Sequence, residues 1–173
     1  MNYFEFYDLP VAFNLDQALL RRQFLTLSKK YHPDFYTLES EEKQEEILGL
    51  STINNEAYKL LKDQEQRIKY VLELKGLLGK DIKTALPQSF LMDMMDINER
   101  VMDLQFDYDE AKHQAIQLEV DAKEKELFEG IQTIFDAYDD ATATAEQLEK
   151  VKDYYLQNRY LKRLKENMLK LTE

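Results

Sequence analysis

Apolar residues recur with the spacing of an α-helix in several long segments of this 173-residue chain. The first clear set is Leu20, Phe24, Leu27 and Tyr31. These positions follow i, i+4, i+7 and i+11, which is one face of a helix. Glycine (4) and proline (3) are rare, and no run of alternating Val, Ile or Thr is long enough to predict a strand. The sequence therefore predicts an all-α protein.

The helical pattern can be followed along most of the chain. The predicted helices cover about residues 3–9, 16–31, 47–74 (continuing past Asp63), 88–107, 110–138 and 146–171. A polar, acidic stretch at 37–46 and a segment with Gly76, Gly79 and Pro87 separate them. Because short connections make neighbouring helices antiparallel, the last three helices are expected to form a three-helix bundle.

The residue types exclude several kinds of site. The chain has no cysteine, so a disulfide, a catalytic thiolate or a cysteine-bound metal is excluded. The only two histidines, His32 and His113, lie far apart, and we expect no metal or other cofactor. The N-terminus lacks the basic and apolar parts of a signal peptide, and no apolar run is long enough to span a membrane. We expect a soluble, cytoplasmic protein.

Charge is distributed unevenly along the chain. The net charge of −11 argues against nucleic acid as a ligand, because phosphates need Lys and Arg to replace their counterions. Residues 1–80 hold 11 basic and 13 acidic side chains, whereas residues 81–173 hold 12 and 21. This asymmetry indicates two modules with different partners.

A tripeptide, His32-Pro33-Asp34, follows the helix that ends in Lys29-Lys30-Tyr31. By itself this tripeptide is weak evidence for any function, but the sequence patterns on either side of it strengthen that evidence. Tyr3-Phe4 and Leu9-Pro10 lie upstream, and downstream comes the pattern Asn55-x-Ala57-Tyr58-x-x-Leu61-x-Asp63-x-x-x-Arg67-x-x-Tyr70. The whole constellation resembles the J-domain, in which an HPD loop links two antiparallel helices.

The resemblance is closer still to the HscB family, the J-domain co-chaperones of iron–sulfur cluster assembly. In the second half it rests on Phe90-Leu91-Met92 and on Tyr160-Leu161-x-x-Leu164. The family joins an N-terminal J-domain to a C-terminal three-helix bundle in a chain of about this length. The resemblance implies a J-domain over 1–75, a linker over 76–87 and a scaffold-binding bundle over 88–173.

For the first module, the resemblance implies docking on a DnaK-type or HscA-type chaperone and stimulation of its ATP hydrolysis. The expected contact residues are His32, Pro33, Asp34, Arg21, Arg22, Lys29 and Lys30. A positive helix face would steer an acidic partner surface, although each of these cations can also be an ordinary solvated side chain. Leu25 and Thr26 stand where many J-domains carry basic residues, which leaves the choice of chaperone open.

His32 and Asp34 could in principle have an enzymatic role, since a His–Asp pair can transfer protons. No nucleophile, set of metal ligands or phosphate-binding glycine loop accompanies the pair. We therefore expect no catalytic residue and no enzymatic activity of the chain's own.

The helix predicted at 88–107 has more apolar residues than one buried face needs. Its core stripe is predicted to be Met94, Ile97, Val101, Leu104 and Tyr108. Four further apolar residues lie off this stripe: Leu91, Met92, Met95 and Met102. A second helical line mixes apolar and acidic residues: Met92, Met95, Asp96, Glu99 and Asp103. These residues fit either a protein-binding surface or a wider core, and periodicity does not decide between the two. The resemblance implies that this surface receives the iron–sulfur scaffold protein IscU. The residues implied are Leu91, Met92, Met95, Asp96, Glu99, Asp103 and Tyr160.

Two other functions stay open from the sequence. The chain could recruit a DnaK-type chaperone to a different client, or it could be a helical adaptor with a degenerate J-domain. The intact His32-Pro33-Asp34 speaks against the second of these. His113 matches no functional position of the family and is expected to be a surface helix residue.

Overall fold

The structure is a computed structural model that describes all 173 residues, and it contains helices but no strands. The helices are α1 (Tyr3–Phe6), α2 (Gln17–Lys30), a 3₁₀ helix (Pro33–Tyr36), α3 (Glu41–Lys62), α4 (Gln64–Leu74), α5 (Gln88–Phe106), α6 (Glu110–Ala137) and α7 (Ala145–Lys170). The predicted all-α fold is confirmed. None of these helices combines the length and the apolar character needed to span a membrane.

Two helix boundaries in the first half differ from the prediction. Helix α3 begins at Glu41 rather than near Ile47, because the Ser40 hydroxyl accepts the Lys43 backbone N–H (3.3 Å) as a cap. Acidic residues in a first turn are stabilised by the positive end of the helix dipole, so part of the acidic stretch is helical. Helix α1 is shorter than predicted, since Asp8 adopts a left-handed backbone (φ 54°) that ends the helical turn.

The prediction for Tyr108 was wrong. It was placed on the core stripe of the fifth helix, but α5 ends at Phe106 and Tyr108 is exposed in the short connection to α6. Asp107 has an extended backbone, and the Asp109 carboxylate accepts the Lys112 N–H (2.9 Å) at the start of α6. The extended backbone of Asp107 ends the helical period before Tyr108, and the Asp109 carboxylate caps the start of the next helix.

The chain divides into two compact units. Unit 1 contains residues 1–71 and 138–142, and unit 2 contains residues 72–137 and 143–173. In unit 1, α2 and α3 pack against each other, and the Phe24 ring stacks on the Tyr58 ring with centroids 4.1 Å apart. The buried apolar residues of unit 1 are Phe4, Tyr7, Phe13, Leu20, Ile47, Ala57, Leu61, Ile68 and Val71.

A buried polar cluster joins Tyr7, at the end of α1, to α2 and α3. The Tyr7 hydroxyl lies 2.8 Å from both the backbone oxygen and the side-chain oxygen of Asn54. The Asn54 amide donates in turn to the Phe24 carbonyl (3.2 Å) and to the Ser28 hydroxyl (3.0 Å). Burial raises the pKa of the Tyr7 hydroxyl and keeps it protonated as a donor. The hairpin of α2 and α3 is therefore held by hydrogen bonds as well as by apolar packing.

The sequence pattern downstream of the tripeptide has structural roles in unit 1. Arg67 is buried, and its guanidinium donates to the Phe13 carbonyl (2.7 Å) and to the Leu61 carbonyl (2.5 Å). Burial lowers the pKa of Arg67, but these two acceptors stabilise its charge. The Tyr70 hydroxyl accepts the Tyr3 backbone N–H (3.0 Å), and the two rings stack. This part of the pattern supports the fold and is not exposed for binding.

Unit 2 is built from α5, α6 and α7, with α6 packed along both of the others. Its main core contains Phe90, Met94, Ile97, Val101, Leu104, Ile116, Val120, Leu161, Leu164 and Met168. Helix α7 starts with a reciprocal cap, in which Thr144 and Gln147 each accept the other's backbone N–H. Lys165 on α7 bonds Asp121 (2.8 Å) and Glu124 (2.9 Å) on α6, so charged pairs border the apolar core.

Candidate interaction sites

The His32-Pro33-Asp34 loop is a single turn of 3₁₀ helix. His32 caps this turn, because its Nδ1 accepts the Asp34 backbone N–H (3.3 Å), while its carbonyl accepts the Phe35 N–H (3.1 Å). Pro33 occupies the first position of the turn, where its missing N–H costs nothing. An Nδ1 that accepts a hydrogen bond leaves Nε2 as the N–H donor of the ring. The loop thus presents a donor on His32 and an exposed carboxylate on Asp34.

A tyrosine anchors the loop to the preceding helix. The Tyr36 hydroxyl donates to the Lys30 carbonyl (2.7 Å), which is one of the free acceptors at the end of α2. The Lys30 ammonium lies over the Tyr31 ring, 5.2 Å from its centroid. These two contacts fix the direction in which the chain leaves α2, and with it the position of the loop.

A groove of about 760 Å³ lies between α2 and the loop. Its lining residues are Ala18, Arg21, Arg22, Leu25, Thr26, Ser28, Lys29, His32 and Phe35. Three of them are cations and none is acidic, so the groove attracts negative charge. Leu25 and Phe35 are exposed apolar residues of the lining, and cations beside apolar side chains suit a protein segment with both acidic and apolar residues.

The structure gathers most, but not all, of the residues predicted for chaperone binding. Of the seven residues, Arg21, Arg22, Lys29 and His32 line the groove, whereas Lys30, Pro33 and Asp34 do not. The sequence marks Leu25 only as the absence of a basic residue, and it does not predict a role for Phe35. An exposed aromatic residue directly after the tripeptide was the available signal for Phe35.

The second candidate surface is the exposed face of α5. Leu91, Met92 and Met95 are exposed. The residues predicted for the core stripe of α5 are buried, with the exception of Tyr108. The two lines of residues therefore separate as a core face and a solvent face of one helix. Within unit 2 the methionines do not widen the core.

The acidic residues of the α5 face differ in their partners. Asp96 pairs with Arg100 (3.0 Å), which also bonds Glu119 on α6 in a two-pronged contact. Glu99 and Asp103 are exposed and form no ion pair within the chain. Two of the three predicted carboxylates are thus available to a partner, and Asp96 is already balanced by a neighbouring cation.

Tyr160 on α7 joins the α5 face through a hydrogen bond. The Asn98 side-chain amide lies 2.6 Å from the Tyr160 hydroxyl, and the edge of the Tyr160 ring packs on Phe90. Tyr160 is only partly buried, as the sequence indicated. Asn98 was not among the predicted residues; it positions Tyr160 through this contact, which no periodicity reveals.

His113 is not a simple surface residue. It is partly buried near the start of α6, its Nδ1 is buried without a hydrogen-bond partner, and its ring packs edge-on against Tyr108. No group of three His, Asp or Glu side chains in the structure is placed to hold a metal ion.

Comparison with known proteins decides the family. Residues 86–168 match the model of the HSCB C-terminal oligomerisation domain. The iron-sulfur cluster co-chaperone protein HscB of Mus musculus is 31% identical over 170 residues, covering 96% of this chain and 67% of the mouse protein. The chain belongs to the HscB family. The crystal structure of human co-chaperone protein HscB superposes with a TM-score of 0.70 at 27% identity, covering 97% of this chain and 80% of the human one.

The HscB fold assigns the two candidate surfaces to different parts of the molecule. The α2–α3 hairpin with its His32-Pro33-Asp34 turn is the J-domain, and α5, α6 and α7 form the C-terminal three-helix bundle. The HscB homolog of Vibrio cholerae is 37% identical over 102 residues, which span 58% of this chain and 60% of that relative. The relatives are named co-chaperones, and none of the names describes an enzyme.

Proposed function

We propose that this chain is an adaptor that carries an iron–sulfur scaffold protein of the IscU type to a DnaK-type or HscA-type chaperone. The J-domain, over 1–75, would stimulate ATP hydrolysis by the chaperone, and the bundle, over 88–173, would hold the scaffold protein. The observation that carries the proposal is the His32 turn at the edge of a basic groove in a chain of the HscB family.

The chaperone arm of the proposal follows from the charge and shape of the groove. Arg21, Arg22 and Lys29 attract an acidic surface and raise its association rate. Leu25 and Phe35 then offer apolar area that is buried only in the complex. Asp34 and the His32 N–H lie beside the groove, where they can bond to polar groups of the bound chaperone. The ATP chemistry belongs to the chaperone, and this chain supplies only binding energy.

The scaffold arm rests on the exposed face of α5. Methionine side chains are flexible and polarisable, and they adapt to the shape of a partner surface. Carboxylates without internal partners, such as Glu99 and Asp103, favour a partner with lysine or arginine beside its apolar area. We propose that the seven residues inferred from the sequence, with Asp96 contributing least charge, form this contact.

The proposal is tested by measuring the two arms in one crossed experiment. His32→Gln removes the imidazole and should abolish stimulation of chaperone ATP turnover in a steady-state assay, with the affinity for scaffold unchanged by calorimetry. Met92→Ala/Met95→Ala should weaken scaffold binding about tenfold, as expected for residues near the centre of an interface, with ATP stimulation in the absence of scaffold unchanged.

His113→Gln is the matched control, because it changes the only other histidine and lies in the bundle. It should leave ATP stimulation at the wild-type level. Full stimulation by His32→Gln would contradict the chaperone arm. Unchanged scaffold affinity in the methionine variant, or equal binding of unrelated clients, would contradict the scaffold arm.

A further inference from the structure

Helix α5 exposes two more apolar side chains beyond the predicted scaffold surface. Met102 is 57% exposed and Phe106 is 87% exposed. With Leu91 and Met95 they stand at i, i+4, i+11 and i+15. At 100° per residue these four positions fall within about 60° of arc and extend over about 22 Å of helix. They form one apolar row, which we name the α5 row, along most of the helix, with an interval between Met95 and Met102.

The middle of the α5 row is completed by another helix. Between Met95 and Met102 the helix carries Asn98, whose amide holds the Tyr160 hydroxyl at 2.6 Å. Tyr160 therefore lies at the point where α5 itself has no apolar side chain. Tyr160 thus lies between the two parts of the row, Leu91 with Met95 and Met102 with Phe106.

Phe106 contributes little to the stability of the fold. Its ring is almost fully exposed and pairs with no other aromatic ring or cation in the structure. Because its ring is in contact with water, Phe106 gains the free energy of apolar burial only when a partner covers it. Aromatic residues and methionine are also enriched where proteins meet each other.

The charge around the far end of the row indicates which kind of partner covers it. Glu99 and Asp103 border the row on one side without ion pairs, and no basic residue occupies the last turn of α5. The helix dipole adds negative potential at this end. A partner surface that fits the row therefore has an apolar strip with lysine or arginine along one side.

We infer that the scaffold partner lies along the whole α5 row and that Phe106 is the anchor at its far end. Glu99 and Asp103 pair with cations of the partner beside this anchor. The inference rests on the proposed function, since it takes the partner to be the iron–sulfur scaffold protein. It extends the apolar contact by about three helical turns, from Met95 to Phe106, beyond the apolar residues that the resemblance implied.

The test is calorimetric titration of the full chain with an IscU-type scaffold protein. Phe106→Ala should weaken the affinity at least about fivefold, as residues that anchor interfaces do, and Met102→Ala should weaken it less. Leu118→Ala is the matched control, because Leu118 is 70% exposed on α6 and lies outside the row. It should leave the affinity unchanged, and far-UV circular dichroism should show equal helicity in all variants.

The outcomes separate this inference from the proposed function. If Met92→Ala/Met95→Ala weakens binding and Phe106→Ala does not, the scaffold arm stands and the inference is overturned. If neither variant changes the affinity, both are overturned. Sedimentation of the chain alone measures its self-association and adds a third outcome. If Phe106→Ala removes self-association without changing scaffold affinity, the row is a contact between copies of this chain, and the inference fails.

Discussion

The groove beside the HPD loop and the exposed face of α5 are both suited to a protein partner, but they are opposite in charge and shape. The groove is concave, and its lining contains three cations and no carboxylate. The α5 face is convex, and an apolar row is bordered by Glu99 and Asp103. A partner surface that complements one site is repelled by the other. Opposite charge is thus a physical basis for keeping two partners on separate surfaces.

The two regions also differ in what supports them. Asn54 and Arg67 are the buried polar side chains of the structure, and both belong to unit 1. The bundle that supports α5 has an apolar core instead. A hydrogen bond fixes the orientation of its donor and acceptor groups, whereas apolar packing tolerates small displacements of the side chains. Buried hydrogen bonds thus hold the helices of unit 1, and apolar packing supports the α5 face.

The largest expected effect concerns the apolar support of the bundle. Leu161 is fully buried among α5, α6 and α7, so Leu161→Ala should lower the free energy of unfolding by about 2–5 kcal/mol. Urea unfolding followed by circular dichroism measures this change. Leu169→Ala is the control on the exposed side of the same helix, and its effect should stay within about 0.5 kcal/mol. Equal losses of unfolding free energy for the two variants would contradict the role of the apolar core in supporting α5.

The second prediction concerns the polar support of the J-domain. Asn54→Ala removes the side-chain oxygen near the buried Tyr7 hydroxyl and the amide that donates to Phe24 and Ser28, and should lower the free energy of unfolding by about 1–3 kcal/mol. Because the two groups share one hydrogen bond, Tyr7→Phe and Asn54→Ala together should cost less than the sum of the single changes. The exposed neighbour variant Asn55→Ala should be close to neutral. Additive single effects would show that the cluster does not act as a unit.

The smallest effect concerns the ion pair between α5 and α6. The hydrogen bond from Arg100 lowers the pKa of Glu119 in the folded state, so folding is favoured above the unfolded pKa of about 4.3. This contribution is lost as the pH falls through the lowered pKa. Since the pair is exposed, Glu119→Gln should cost at most about 1 kcal/mol at pH 7 and almost nothing at pH 2.

The measurement for this pair is thermal unfolding of both proteins between pH 2 and pH 7. Glu166→Gln serves as the control, because Glu166 is an exposed carboxylate on α7 with no ion pair in the chain. Its unfolding temperature should follow that of the wild type at every pH. A loss for Glu119→Gln that stays constant down to pH 2 would show that the cost is not electrostatic.

The candidate sites were only partly predictable from the sequence. Arg21, Arg22, Lys29 and His32 were identified because they recur around one motif on one helix. Phe35 was missed because nothing in its local pattern shows that it borders a groove formed by two segments. Asp96 was grouped with Glu99 and Asp103, although the structure pairs it with Arg100. Asn98 was missed since its partner, Tyr160, lies 62 residues away.

Sequence alone determined the helical class, the position of the loop and, apart from Tyr108, the buried line of α5. These features depend on helical periodicity and on the fixed backbone of Pro33, which act over a few residues. Tertiary structure decided which residues outside the core are exposed and available to a partner. Whether Asp96, Glu99, Phe106 or Leu25 meets solvent depends on the side from which a distant helix packs, and that is set by contacts far apart in the chain.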